Sequence, residues 1–191
     1  PVIKLTKVTS RARPIFQMIV GGRHPEHLVT GAIAREAGLF EAVHSVVPGT
    51  RKVLLTEGGS CRFHAVIAIT KRFEGEGRLA ILSAFVNQDL IKHVIVVDDD
   101  IDVADPNAVE WAVATRMRAH EDLVAVPGMK SNPVDPMCQA SRITKLGIDA
   151  ALPVRQCGEQ RVAVGVPAET MVRLDNEWKA VIGSARPRTT S

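Results

Sequence analysis

The run His93-Val94-Ile95-Val96-Val97, followed at once by Asp98, Asp99 and Asp100, leaves the chain the fewest folding options. Four β-branched residues in succession carry no polar alternation. A strand built from them has no face to give to water and must be covered on both sides. Cover on both faces of a sheet comes from helices, and the flanking segments read that way. Leu28, Val29, Ala32, Ile33, Ala37 and Phe40 recur at helical spacing, which predicts an amphipathic helix over about residues 25–38, with Pro25 in its first turn and Gly38 helping to end it. "RLAILSAFV" (78–86) predicts a helix packed on a sheet. Asp105-Pro106 is a capped start for "NAVEWAVATRMRAH" (107–120), and Pro167 opens a last helix through Trp178. Strands are expected around Val53 and in "CRFHAVIAITK" (61–71), "DLVAVPG" (122–128) and "VAVGVP" (162–167). Two more, able to form a hairpin, are expected in "VIKLTKVTS" (2–10) and "IFQMIV" (15–20). The order gives an α/β fold, a layered mixed or parallel sheet with flanking helices. In such sheets ligands usually sit beyond the carboxyl ends of the strands.

Composition narrows the function classes. With 46% hydrophobic residues the chain can build a core. The charge of +3, from 24 basic and 21 acidic residues, is interspersed, so there is no clustered basic face for nucleic acid. No apolar run reaches the roughly 20 residues that span a bilayer. Cys61, Cys138 and Cys157 are odd in number and far apart, which fits free thiols in a reducing cytoplasm. "SARPRTTS" (184–191) reads as a solvated tail.

The aspartate run has two readings. Clustered carboxylates suit magnesium or a phosphoryl group. Yet successive strand side chains point to opposite faces, so three in a row do not converge on one ion. The structural reading, with Arg116 as counter-charge, is therefore preferred. Cys61 and His64 form half of a zinc pattern, but their spacing of three divides them between strand faces and no second pair accompanies them. A packed thiol and a rim histidine are expected. "EGGS" (57–60) reads as a turn rather than a phosphate cradle. Neither G-x-S-x-G nor G-x-G-x-x-G occurs, so a serine hydrolase and a Rossmann dinucleotide site are unsupported. Trp111 is expected in the core.

Several longer stretches, in order, resemble the C-terminal part of the UbiD family of reversible aromatic and α,β-unsaturated acid decarboxylases. They are "KHVIVVDDDID" (92–102), "VEWAVATR" (109–116), "NPVDP" (132–136), "TKLGIDA" (144–150) and a closing helix with Trp178. Upstream, "RPIFQMIVGGRHPEH" (13–27) and "EGGSCRFHAVIAITKRFEGEG" (57–77) fit as well. The resemblance implies residues 1–22 as the last strands of a split-barrel flavin domain, 23–183 as the C-terminal α/β domain, and 184–191 as a tail. It implies prenylated FMN as cofactor, with a divalent metal (manganese or magnesium) and potassium in the complete enzyme. The catalytic Glu-Arg-Glu network and the metal ligands belong to the preceding flavin domain, so no catalytic or metal residue is expected in this chain, which should be inactive and flavin-free alone. What carries over is pocket wall: Ile19 and Val20 near the flavin, Leu90 and Lys92 before the central strand, and Asn132 and Val134 on a covering loop. Where some members carry a basic residue for the cofactor phosphate, this chain reads "AFVNQD" (84–89). The small pair at 132 and 134 resembles members acting on small hydroxy-aromatic or heteroaromatic acids. Implied partners are the flavin-binding region or subunit, further copies in a homo-oligomer, and a UbiX-type prenyl-flavin synthase. A non-catalytic assembly or regulatory subunit is the alternative reading.

Overall fold

The computed structural model describes residues 2–22, 24–156 and 168–184. They fall into two compact units, residues 1–154 and 155–191.

The first unit is built on a five-stranded sheet ordered β1-β2-β3-β5-β4. Its strands are β1 (Thr50–Leu55), β2 (His64–Ile69), β3 (His93–Asp98), β4 (Leu123–Lys130) and β5 (Arg142–Ala150). β2, β3 and β5 are parallel, and the edge strands β1 and β4 run antiparallel to them. β3 is thus central, as its uninterrupted apolar run requires. Helices α1 (Pro25–Val46) and α2 (Glu76–Asn87) cover one face, where Leu39, Val43, Ile81 and Phe85 pack on Ile67, Val94 and Val96. Helix α3 (Pro106–Arg116) lies on the other, where Val109 and Ala112 meet Val66, Ala68, Val97 and Ala150. The Asp105 carboxylate accepts from the Asn107 amide (2.9 Å) and caps α3. A one-turn helix, α4 (Ala119–Asp122), precedes β4. Helices on both faces of a mixed sheet confirm the α/β layering.

Four expectations need correction. Helix α1 passes through Gly38 and ends at Val46. An interior glycine costs about 1 kcal/mol, which burial of Leu39 and Val43 on the next turns outweighs. Helix α3 stops at Arg116, whose guanidinium is drawn onto the aspartates at the end of β3. Trp111 is not core: it is 49% exposed, with the Arg116 guanidinium 5.0 Å from its ring centroid. Ala112, one residue on, takes the buried position instead. Finally, residues 2–22 form no strand, and their apolar side chains, Phe16 and Met18 among them, are exposed. A strand exists by pairing with another, and no described segment pairs with this one.

Strand β5 emerges where sequence reasoning placed none. Gly147 at its middle admits α2 closely: a Cβ there would sit 2.2 Å from the Ile81 Cγ2 atom. The strand expected at 162–167 lies outside the described residues.

The second unit is described as helix α5 (Ala168–Ser184), preceded by a short 3-10 turn at Val154–Gln156 on the boundary between the units. Met171, Leu174, Trp178 and Val181 follow one another at helical spacing and are all exposed.

Candidate functional site

The carboxyl end of β3 is a closed ion-pair network. Asp98 is fully buried; its Oδ2 accepts from Arg116 (2.9 Å) and from the Leu152 amide (2.8 Å). Arg116 also grips Asp100 with two nitrogens (2.8 and 2.7 Å), and the Thr70 hydroxyl donates to Asp99 (2.6 Å). β3 ends at Asp98 and the chain turns at Asp99 and Asp100, and this turn brings the Asp100 carboxylate back beside Asp98 on the same guanidinium. The structural reading of the run holds. Asp149 at the end of β5 is also buried; burial pushes its carboxyl up, and Lys71, 3.7 Å away, offsets this in part. Among the described residues, no group of three or more His, Cys, Asp or Glu side chains is placed to hold a metal ion.

The amino end of β3 is arranged differently. Lys92 stands one residue before the strand, its amide and that of His93 both donating to the Phe63 carbonyl (3.0 and 2.9 Å). Its ammonium reaches Asp135 Oδ1 (3.1 Å) and lies 5.2 Å from the Phe63 ring centroid. Asp135 comes from the proline-flanked loop after β4. The loop is braced by its own turns: Asn132 Oδ1 accepts from the Val134 amide (3.0 Å) and Asp135 Oδ1 from the Met137 amide (3.0 Å). Asp135 is 1% exposed and Ser131 2% exposed, yet among the described residues Asp135 Oδ2 and Ser131 Oγ have no hydrogen-bond partner. Buried polar atoms without partners are uncommon and mark a place to look for function.

Two histidines border this cluster. His64 and His93 pair in register on β2 and β3, with ring centroids 6.5 Å apart and edge-on. Burial lowers the His93 pKa, helped by Lys92 and opposed by Asp135. Burial and then His93 lower that of His64, whose Nδ1 lies 3.0 Å from the Thr56 hydroxyl. Both rings are therefore neutral near pH 7, and each offers a donor and an acceptor. Cys61 is buried, with its thiol pushed up by burial, and sits in the turn before β2. The packed thiol and rim histidine are found where the sequence suggested, though Cys61 is outside the strand.

A cleft of about 770 Å³ opens between α1, the 56–61 turn and α3, lined mostly by apolar side chains such as Val29, Ile33 and Val113. A smaller one of about 390 Å³ lies over His64, His93, Ile95 and Ile148. They share Gly58, Gly59, His64 and Ile95 and so form one groove running toward the amino end of the sheet.

Of the six pocket residues expected from sequence, none is among the described residues that line either cleft, and four lie on the two segments joined by the Lys92–Asp135 ion pair. Leu90 and Lys92 lead into β3, and Asn132 and Val134 lie on the loop that Asp135 ties to Lys92. Ile19 and Val20 stay in the exposed N-terminal stretch, and no described contact joins them to the others. This cluster lies at the amino ends of the parallel strands, whereas ligands in such sheets usually sit beyond the carboxyl ends, which here carry the ion pairs of Asp98, Asp100 and Asp149. Asp135, Ser131, Phe63 and His93 were missed. Only the placement of Asp135 between Pro133 and Pro136 in a rigid loop hinted at a role.

Residues 28–150 match the 3-octaprenyl-4-hydroxybenzoate carboxy-lyase C-terminal domain. The chain belongs to that family. The anhydromevalonate phosphate decarboxylase of Methanocaldococcus jannaschii is 41% identical over 154 residues, covering 80% of this chain and 36% of that protein. The gallate decarboxylase of Lactiplantibacillus plantarum is 36% identical over 139 residues, covering 71% of this chain and 28% of that protein. The UbiD-class enzyme HmfF from Pelotomaculum thermopropionicum, solved with FMN, superposes with a TM-score of 0.74 at 44% identity, over 79% of this chain and 34% of that one. An evolved dimeric form of HmfF, solved with prFMN, gives a TM-score of 0.65 at 40% identity, over 79% of this chain and 31% of that one. The chain spans about a third of the length of these relatives. The HmfF structures share the α/β sheet and flanking helices described above.

Proposed function

We propose that this chain supplies the substrate-side wall of a reversible, non-oxidative decarboxylase of aromatic or α,β-unsaturated acids that uses prenylated FMN. The supporting observation is that residues 28–150, which carry the whole sheet, are shared with a carboxy-lyase family whose named members here act as decarboxylases. When bound, the flavin serves as the electron sink while carbon dioxide leaves. The residues of this chain do the rest of what a wall does. Lys92, fixed by Asp135, presents an ammonium to the acid. Leu90, Asn132 and Val134 set the width of the space. Ile19 and Val20 approach the flavin once the N-terminal stretch pairs with the strands of the flavin-binding region. The residues described here fit one wall and not the phosphate or metal end of such a site. The "AFVNQD" stretch brings no basic side chain, and the clustered aspartates already hold Arg116. On this reading the divalent metal and potassium are assigned to the flavin-binding region.

A second reading, an assembly or regulatory subunit, is favoured by one feature: the exposed apolar stripe of Met171, Leu174, Trp178 and Val181 on α5, which suits a helix that joins copies. One experiment separates the two. The chain is combined with its flavin-binding region in cells supplying a UbiX-type prenyl-flavin synthase. Release of carbon dioxide is then followed over a panel of aromatic and unsaturated acids. Turnover that needs both parts supports the wall assignment. A flavin-loaded flavin region that turns over equally well without this chain overturns it, as does flavin retained by this chain alone through gel filtration.

A further inference from the structure

We infer that the loop at residues 131–138 is a strap latched to the start of β3 by the Lys92–Asp135 ion pair, and that a carboxylate ligand binding Lys92 releases it. The geometry carries this without reference to the decarboxylase reading.

The strap touches the rest of the fold through few polar contacts. Its two ends are held by the Ser131 amide on the Ser141 carbonyl (3.0 Å) and by turns internal to the loop, Asp135 amide to Asn132 carbonyl (2.9 Å) and Cys138 amide to Asp135 carbonyl (3.0 Å). Among the described residues, only Lys92–Asp135, at 3.1 Å, ties its middle to β3. Around that tie the strap is apolar but unpacked: Val134 and Met137 are exposed, 58% and 66%. These two side chains therefore add little apolar burial to back the ion pair.

The closed state is also under-satisfied. Burying Asp135 strips water from both carboxylate oxygens, and only Oδ1 regains partners, Lys92 and the Met137 amide. Ser131 Oγ is buried without a partner beside it in the same loop. Opening returns both atoms to water, so it recovers solvation that the closed state gives up. A latch with one strong bond and two unmet polar atoms is poised rather than locked.

The ammonium is the shared element. Lys92 has three donors, one directed at Asp135, and its side chain is 18% exposed while that of Asp135 is not exposed at all. An incoming carboxylate therefore meets Lys92 and cannot meet Asp135. A second carboxylate beside Asp135 is repelled by it, and the lysine satisfies the two only by sharing. Binding at Lys92 thus weakens the tie that closes the strap.

Hydrogen exchange of the 191-residue chain, followed by mass spectrometry on fragments covering 131–138, tests this without flavin or turnover. Asp135→Asn should speed exchange there roughly tenfold to a hundredfold while β3 and β5 stay protected. Unchanged exchange in 131–138, or equal loosening of the whole sheet, overturns the latch. Sodium benzoate should speed exchange of the same fragments in the wild-type chain, and sodium chloride at equal ionic strength should not. The response should vanish in Lys92→Met. Should that variant fail to fold, with Asp135 left buried and uncompensated, Lys92→Met combined with Asp135→Asn takes its place. A benzoate response surviving loss of the ammonium, or none in the wild type, overturns the ligand coupling.

Discussion

The two ends of β3 each pair a basic side chain with buried aspartate, and they do opposite things. At the carboxyl end Arg116 meets Asp98 and Asp100, and a backbone amide and the Thr70 hydroxyl add further donors to the aspartates. At the amino end Lys92 meets Asp135 alone, and Asp135 Oδ2 and Ser131 Oγ are left over. A network with its polar atoms paired holds elements in place. One with unmet atoms on a mobile type of element, a loop, has something left to bind. Identity of charge does not separate the two; the state of satisfaction does.

The largest effect that sharpens this contrast is at the satisfied end. Arg116→Met takes the guanidinium away from buried Asp98, and should cost about 3–5 kcal/mol in chemical denaturation. A loss under about 1 kcal/mol would mean the carboxyl end is not framework, and the contrast would collapse.

A second lysine tests whether burial alone makes an amino-end group functional. Lys145 on β5 is fully buried, and its ammonium donates to the Phe85 and Gln88 carbonyls (3.0 Å each) at the C-terminus of α2. That is a favourable place for a cation, yet burial lowers its pKa from 10.5 to about 8. The folded value lies below the unfolded one, so between them the unfolded chain holds a proton the native chain has lost. Stability should therefore rise as pH climbs from about 8 to about 10.5, by an amount on the order of 3 kcal/mol, with the cost fully present below that window. Denaturation midpoints across that range should climb in the wild type and climb less in Lys145→Met. Parallel curves would mean that Lys145 does not cause the rise.

Trp111 ranks next. Because it is half exposed and stacks on Arg116, Trp111→Ala should cost about 1 kcal/mol, the cation–π contribution with a little apolar burial, and not the several kcal/mol of a buried aromatic. A loss above about 3 kcal/mol would return it to the core.

What the sequence disclosed follows the range of the forces involved. Local signals were legible: the apolar run of β3, the Asp105 cap on α3, and the pairing of Arg116 with the aspartate run. Long-range placement was not. β5 reads as Arg-Ile-Thr-Lys-Leu-Gly-Ile-Asp-Ala, with polar residues on the helix-covered face, because Lys145 and Asp149 find carbonyl and lysine partners there that only tertiary structure supplies. Helix α1 outran Gly38 because burial of Leu39 and Val43 overrides a local preference. Trp111 followed the expectation that large aromatics go inside, whereas Ala112 is the small residue that lets α3 approach the sheet. At the site, Lys92, Leu90, Asn132 and Val134 were reached through resemblance alone. Asp135, which binds two of these elements together, became visible only when a loop 43 residues downstream folded back onto Lys92.

The smallest stability effect carries the most functional meaning. Val134 is 58% exposed on the strap, so Val134→Phe has room that a core position lacks. Its denaturation midpoint should shift by no more than about 0.5 kcal/mol. In the complete enzyme the same change narrows the space beside Lys92, so wide acids should lose turnover or show a raised KM while narrow ones keep theirs. If Val134 were ordinary packing, overpacking would cost roughly 1–3 kcal/mol and leave the preference untouched. Measuring the midpoint alongside relative rates on a narrow and a wide acid separates the two. A destabilised enzyme with unchanged preference would remove Val134 from the wall, and would leave the amino end of β3 with its unmet polar atoms but no demonstrated tenant.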